Sequence, residues 1–152
     1  MKIVKISEAN IQEAGRIHAE SWRESHKGFC TDAFIARHTT ETQTEYIRSE
    51  IAKGKHFCLL IDQKPVGIVS LQGSLIENFY ILPTEQRKGY GTILLQHILP
   101  QCDGIPRLWV LSNNERADAF YRKHGFIESG KRKQLRNDLF ETELVLCRPC
   151  SL

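Results

Sequence analysis

The chain has 152 residues, 41% hydrophobic and 26% charged, with a formal net charge of +3, enough for a single domain spanning 1–152 with its own core and a charged surface. So mild a basic balance does not point to nucleic acid, and no apolar run approaches the ~20 residues of a membrane span. The opening M-K-I-V-K-I-S-E is too short and too polar for a secretory leader, so a cytoplasmic protein without membrane or nucleic-acid partners is expected.

Lys2–Ile6 alternates, with Ile3 and Ile6 apolar, and predicts a short first strand. Asn10, with Glu13 three residues on, approaches a capping box, and Ile11, Ala14, Ile17 and His18 recur at helical spacing up to Trp22. Residues 23–38 predict a loop with one short helix. Thr40–Lys53 reads as a helix with Tyr46, Ile47 and Ile51 on one face and Gly54 as its C-cap. From His56 the period changes to two. His56–Ile61 and Val66–Gln72 form a hairpin about the turn Asp62–Pro65, and Leu75–Leu82 is a third strand ended by Pro83. A helix over Gly89–Leu99, a strand over Arg107–Leu111 and a helix over Glu115–His124, stopped by Gly125, come next. Strands Phe126–Gly130 and Leu139–Cys147 complete an α/β domain built on one mixed sheet. Five cysteines, at 30, 58, 102, 147 and 150, are odd in number and scattered, which suggests reduced thiols. The pair Cys147 and Cys150 has redox or zinc spacing, yet it lacks both an activating helix N-terminus and a second ligand pair, so no metal is expected.

The sharpest local signal is Gln86-Arg87-Lys88-Gly89-Tyr90-Gly91-Thr92, directly after a strand and directly opening a helix. The first N–H groups of a helix have no partner within it, and the macrodipole adds positive charge there. Glycines at 89 and 91 leave an anion room to approach, and Arg87 and Lys88 add formal charge, so the turn suits a phosphate or pyrophosphate. A plain strand-to-helix turn would look similar. A Walker A loop and a full dinucleotide fingerprint are both absent.

Q-R-K-G-Y-G resembles the pyrophosphate-binding signature of the GNAT superfamily of N-acetyltransferases, preceded as in that family by a strand, here Asn78-Phe79-Tyr80-Ile81-Leu82-Pro83. Downstream, Trp109-Val110-Leu111-Ser112-Asn113-Asn114 and Ala119-Phe120-Tyr121-Arg122-Lys123-His124-Gly125-Phe126 resemble the second half of the family's cofactor site. The resemblance covers residues 75–127 well and the N-terminal third only loosely, through Ser21-Trp22. It implies a central mixed, mostly antiparallel sheet with splayed strands and helices on both faces. It also implies acetyl-CoA as cosubstrate, held by main-chain groups of Phe79, Tyr80 and Ile81 and by the Gln86–Thr92 turn.

By the same resemblance Tyr121 protonates the departing thiolate, while Asn114 contacts the pantetheine arm or simply caps its helix, and Lys123 meets a phosphate or solvent. Glu77 is the candidate for taking the amine's proton, placed on the face of Phe79 by strand alternation; Glu24 and His26 are outside candidates. Trp22, His26, Phe29, Phe34 and Tyr46 would shape the acceptor pocket. The implied activity is direct acetyl transfer to a small-molecule or protein amine by a monomer or homodimer. A non-catalytic acyl-CoA sensor, and a phosphate binder of another fold, stay open at this point.

Overall fold

The computed structural model describes residues 1–28 and 30–146; the expectations attached to Phe29, Cys147 and Cys150 lie outside them. The strands are β1 (Lys2–Lys5), β2 (His56–Asp62), β3 (Lys64–Gln72), β4 (Leu75–Ile81), β5 (Arg107–Leu111), β6 (Phe126–Arg136) and β7 (Leu139–Leu146). The helices are α1 (Ile11–Ser25), α2 (Asp32–Ala36), α3 (Thr40–Ala52), α4 (Tyr90–Ile98) and α5 (Glu115–Lys123). The seven strands form one sheet in the order β1-β2-β3-β4-β5-β7-β6, antiparallel except for the β4–β5 pair.

Strand alternation splits the core into two layers. Cys58, Leu60, Val69 and Ile76 pack against Leu94, Leu95 and Ile98 of α4 and Tyr121 of α5. Phe57, Leu59 and Ile68 face the other way, onto Ile11, Ala14 and Ile17 of α1 and Ile47 of α3. Helices therefore cover both faces, as the resemblance implies.

Two irregularities shape the sheet's middle. β4 and β5 register at a single pair, Leu75 with Arg107, and then part. On its other edge β4 pairs Glu77 with Ser70 but Tyr80 with Ile68, so β4 carries one more residue than its partner there. That β-bulge holds Asn78 at φ 50.

Several local expectations are corrected. Asn10 stands at the N-cap position of α1 but makes no side-chain cap bond: its Oδ1 accepts from Ser7 N–H at 2.8 Å and its Nδ2 donates to the Lys5 carbonyl at 3.2 Å, which closes the β1–α1 turn instead. The β2–β3 turn is tighter than read, with Gln63 at φ 65 between paired Asp62 and Lys64. β6 runs through Gly130 to Arg136, because that glycine serves a register shift rather than a stop. Gly54 and Gly125 follow α3 and α5 at φ 103 and φ 95, as expected of C-terminal glycines.

α1 and α3 approach closely at Gly15, where an added Cβ would overlap Thr44 Oγ1 and come within 2.9 Å of the Thr40 carbonyl. Backbone cannot yield as a side chain can. Gly15→Ala is expected to destabilise the fold by about 1–2 kcal/mol, despite alanine's better helix propensity, read as a lower urea midpoint.

Candidate active site

Where β4 and β5 part, a cleft of ≈ 840 Å³ runs through the sheet. One end lies between the turn after β4, the N-terminus of α4 and the N-terminus of α5. The other opens on the α1 side, against Trp22, Glu24 and His26.

The turn after β4 is built for a close approach to main chain. Gly89 stands at φ 88 as N-cap of α4, with no side-chain cap, and a Cβ there would meet nothing within 4 Å. The helix's own ladder begins with Ile93 N–H to Gly89 O, so the preceding amides have no partner within it. The second glycine does a different job from the one expected. A Cβ on Gly91 would press on the Phe120 ring at 3.2 Å, so this glycine lets α4 and α5 approach. Gln86 and Arg87 line the cleft, and Gln86 Nε2 donates to the Ile81 carbonyl at 3.2 Å, tying the turn to β4.

Lys88 does not line the cleft. Its ammonium lies 2.8 Å from buried Glu85, which also takes Lys64 at 2.7 Å. Tyr90 and Thr92 line the cleft with their side chains engaged elsewhere. Tyr90 O–H donates to Asp62 at 2.6 Å, and Thr92 lies 3.1 Å from His124 Nε2. What the pair can offer an anion is main-chain N–H.

Tyr121 is 8% exposed, lines the cleft, and sits among Phe79, Phe120 and Phe126 at ring distances of 5.3–6.0 Å. Burial, with nearby Tyr80 adding to it, pushes its phenol above the ordinary value. Asn114 caps α5, its Oδ1 accepting from Ala117 N–H at 3.2 Å. It also lines the cleft, so its amide NH₂ is what remains for a ligand. Lys123 is exposed on α5, and it does not line the cleft.

The bulge changes what β4 presents. Ile76 and Phe79 both face the α4 layer although three residues apart, so Glu77 faces α1 and not the side of Phe79. Alternation fails because Asn78 adds a residue. Glu77 still lines the cleft, and its Oε1 accepts from the Lys55 ammonium at 2.9 Å.

Trp22 lies between two imidazoles, His26 at 3.8 Å and His38 at 3.4 Å, both stacked. His26 Nδ1 donates to the Trp22 carbonyl at 2.8 Å, and burial lowers its pKa. Glu24 pairs with Lys27 at 3.2 Å, both more than half exposed. Phe34 is 45% exposed and meets Trp22 edge-on, outside the cleft lining. Tyr46 also lies outside it, bonded to Asn78 at 3.4 Å.

Sequence reading gave no role to Ser21, Trp109, Arg116 or Glu141, all of which line the cleft. The signal was alternation in β5, where Leu108 and Val110 join the α4 layer and Trp109 between them faces the opposite side of the sheet. Of the charged lining residues, Arg87 and Arg116 stand at the helix N-termini together with Glu85, whose carboxylate is taken by Lys64 and Lys88, while Glu24, Glu77 and Glu141 stand away from that end.

Next to Asn78 lies buried His18, 4% exposed, bonded to Asn78 at 3.1 Å and to Gln43 at 2.8 Å. Tyr46 and Tyr80 rings pack on it. Burial, with smaller contributions from the charges of His38 and His26, pushes its pKa from 6.5 down to about 4. Between those values the unfolded chain binds a proton that the folded chain refuses, so stability rises with pH across the window and is complete above it. Acidification from neutral pH through this window is expected to cost about 3 kcal/mol from this group. Urea titrations of wild type and His18→Gln at both ends of the window check it, since the variant should lose that part of the slope.

Among curated proteins none matches the chain. Among solved structures it is similar to the PaiA N-acetyltransferase of Thermoplasma acidophilum in complex with coenzyme A, at 22% identity over 93% of this chain and 96% of that one, with a TM-score of 0.68. The ribosomal-protein-alanine N-acetyltransferase of Brucella melitensis superposes with a TM-score of 0.71, at 14% identity over 95% and 98% of the two chains. YncA of Salmonella typhimurium with its cofactor acetyl-CoA does so with 0.69, at 16% identity over 100% and 97%. At such identities these likenesses speak for the fold. The sequence itself is more specific, for residues 16–126, which hold the splayed strands, the glycine turn and Tyr121, match the Acetyltransferase (GNAT) family, and the chain belongs to it.

Proposed function

We propose that this acetyltransferase moves the acetyl group of acetyl-CoA to a primary amine by direct attack, with both substrates bound in the one cleft. The observation that carries the reading is that continuous cleft: a helix N-terminus with uncapped amides at one end, a strand edge without a neighbour in the middle, and carboxylates at the other end. The pyrophosphate lies on the amides from Arg87 to Thr92, with Arg87 and Arg116 adding charge. The pantetheine arm runs along the free edge of β4 as an added strand would, pairing with Phe79, Tyr80 and Ile81 and meeting the amide of Asn114. Coenzyme A in the Thermoplasma structure and acetyl-CoA in the Salmonella one support that occupant.

A main-chain N–H of β4 polarises the thioester carbonyl and holds the oxyanion. The amine attacks as the free base, since an ammonium has no lone pair. Its proton leaves through Glu77 or water, and Tyr121 protonates the thiolate. Glu24, Glu77 and Glu141 draw the ammonium form into the α1 end, where the Trp22 edge, its faces taken by His26 and His38, and Trp109, with the Lys133 ammonium over one face, form the wall. Among the described residues no cysteine lines the cleft, which supports transfer without an acetyl-enzyme. A thiol-release screen over alkyl polyamines, aminoglycosides, amino-acid amides and peptide amines tests the reading. Intersecting initial-rate lines are expected with the best acceptor; parallel lines with a trapped acetyl-cysteine would overturn direct attack.

A further inference from the structure

We propose that Asn78 is a positioning residue. Clamped by His18, Tyr46 and Ser70, it decides which main-chain groups of β4 face the thioester. The proposal rests on the acetyl-transfer reading above and adds what sets its geometry.

Along a strand, alternate residues send their N–H and C=O to the same side. β4 is paired with β5 only at Leu75, so beyond that point its β5-facing edge borders the cleft. The bulge lies in this stretch, between the Glu77–Ser70 and Tyr80–Ile68 pairs. One residue more or less on β4 exchanges the groups that face the gap for those that face β3, a shift of ~3.3 Å along the strand. Whether a donor meets the thioester carbonyl beside Tyr121 therefore depends on Asn78 staying out of register.

The backbone alone does not favour that state. A non-glycine residue at φ 50 is uncommon, although asparagine tolerates it better than most. The side chain supplies the hold. Oδ1 accepts from His18 Nε2–H at 3.1 Å and from Tyr46 O–H at 3.4 Å, and Nδ2 donates to Ser70 Oγ at 3.0 Å. His18 is itself set from behind, because the Gln43 side-chain amide donates to its Nδ1 at 2.8 Å. An amide nitrogen can only donate, so Nδ1 carries no hydrogen and Nε2 does, which is the tautomer Asn78 requires. The clamp thus joins α3, α1, β4 and β3 through the buried His18, Gln43 and Ser70 and the half-buried Tyr46 and Asn78, beside a layer made of Ile17, Ile47, Phe57 and Ile68. Polar groups placed there are costly unless each is satisfied, and these satisfy one another.

Asn78→Gly is the informative variant, since glycine accepts φ 50 without strain but leaves the bulge unclamped. Its kcat is expected to fall 10- to 50-fold while CoA affinity by calorimetry falls less than tenfold, because the grip on the pyrophosphate is remote from the bulge although the pantetheine pairing at Phe79, Tyr80 and Ile81 is not. His18→Ala should lower kcat similarly, and the double variant no further, if His18 acts through Asn78. Wild-type kcat in Asn78→Gly, additive losses in the double variant, or a loss of CoA affinity as large as the loss of kcat would each overturn the proposal. Amide hydrogen exchange reads the clamp apart from any activity. Faster exchange at Phe79 and Tyr80 in Asn78→Gly supports it and unchanged exchange refutes it, even if wild type acetylates no amine and the functional reading fails.

Discussion

Gly89→Asp is expected to weaken CoA binding by about 10²–10³-fold while the protein stays folded. Two effects act at this position, and they can be separated. The first is conformational: at φ 88 any Cβ is strained, costing about 1–2 kcal/mol of stability. The second is electrostatic. Open space surrounds the would-be Cβ, so the new carboxylate projects into the volume assigned to the diphosphate. Like charges at ~4 Å repel by about 4 kcal/mol at an effective dielectric constant of 20, and solvent at this exposed turn reduces that somewhat. Gly89→Ala carries the first effect without the second. It should lose stability to a similar degree and CoA affinity less than tenfold by calorimetry. Equal affinities for wild type and both variants would remove the diphosphate from this turn.

Much of the frame was readable because it depends on local period and punctuation. The change from helical to alternating spacing at His56, glycine after α3 and α5, and the turn opening α4 all lie within a few residues of what they control. The errors lie where the deciding partner is remote in sequence. Glu77 was assigned the face of Phe79 because alternation assumes an unbroken strand, whereas the bulge is held by His18, 60 residues before Asn78. An asparagine within a run of strand formers was the available hint, since asparagine is depleted in strands and tolerant of positive φ. Lys88 is different. Glu85 stands three residues before it, a spacing visible in the sequence, but the burial that makes Glu85 seek two ammonium groups is a tertiary property. The indole held between His26 and His38 was unreadable for the same reason, since it needs α1 and the segment before α3 side by side.

Tyr121→Phe tests the chemistry more severely than any change at the glycine turn. Its expected effect is a fall in kcat of about 10³-fold, within the range general acids supply, with CoA affinity and thermal midpoint little changed. The ring contacts with Phe79, Phe120 and Phe126 survive the substitution, so only the hydroxyl is lost. In water a phenol at ~10 is a poor donor to a thiolate whose acid is near ~8.5, uphill by about 2 kcal/mol. The cleft changes this comparison in two ways. Burial raises the phenol, which keeps it protonated well above neutral pH but makes it a weaker acid still. The same surroundings penalise the leaving thiolate and so raise its proton affinity as well, and a hydrogen bond from the phenol to the sulfur would gain strength as charge develops there. The raised phenol also fixes the sign of the pH profile. Activity should not decline on the alkaline side until beyond the ordinary tyrosine range, because the acid form persists there. Tyr80, whose phenol is likewise raised by burial, serves as the comparison. If Tyr80→Phe loses the rate and Tyr121→Phe keeps it, the proton comes from the strand and not from α5.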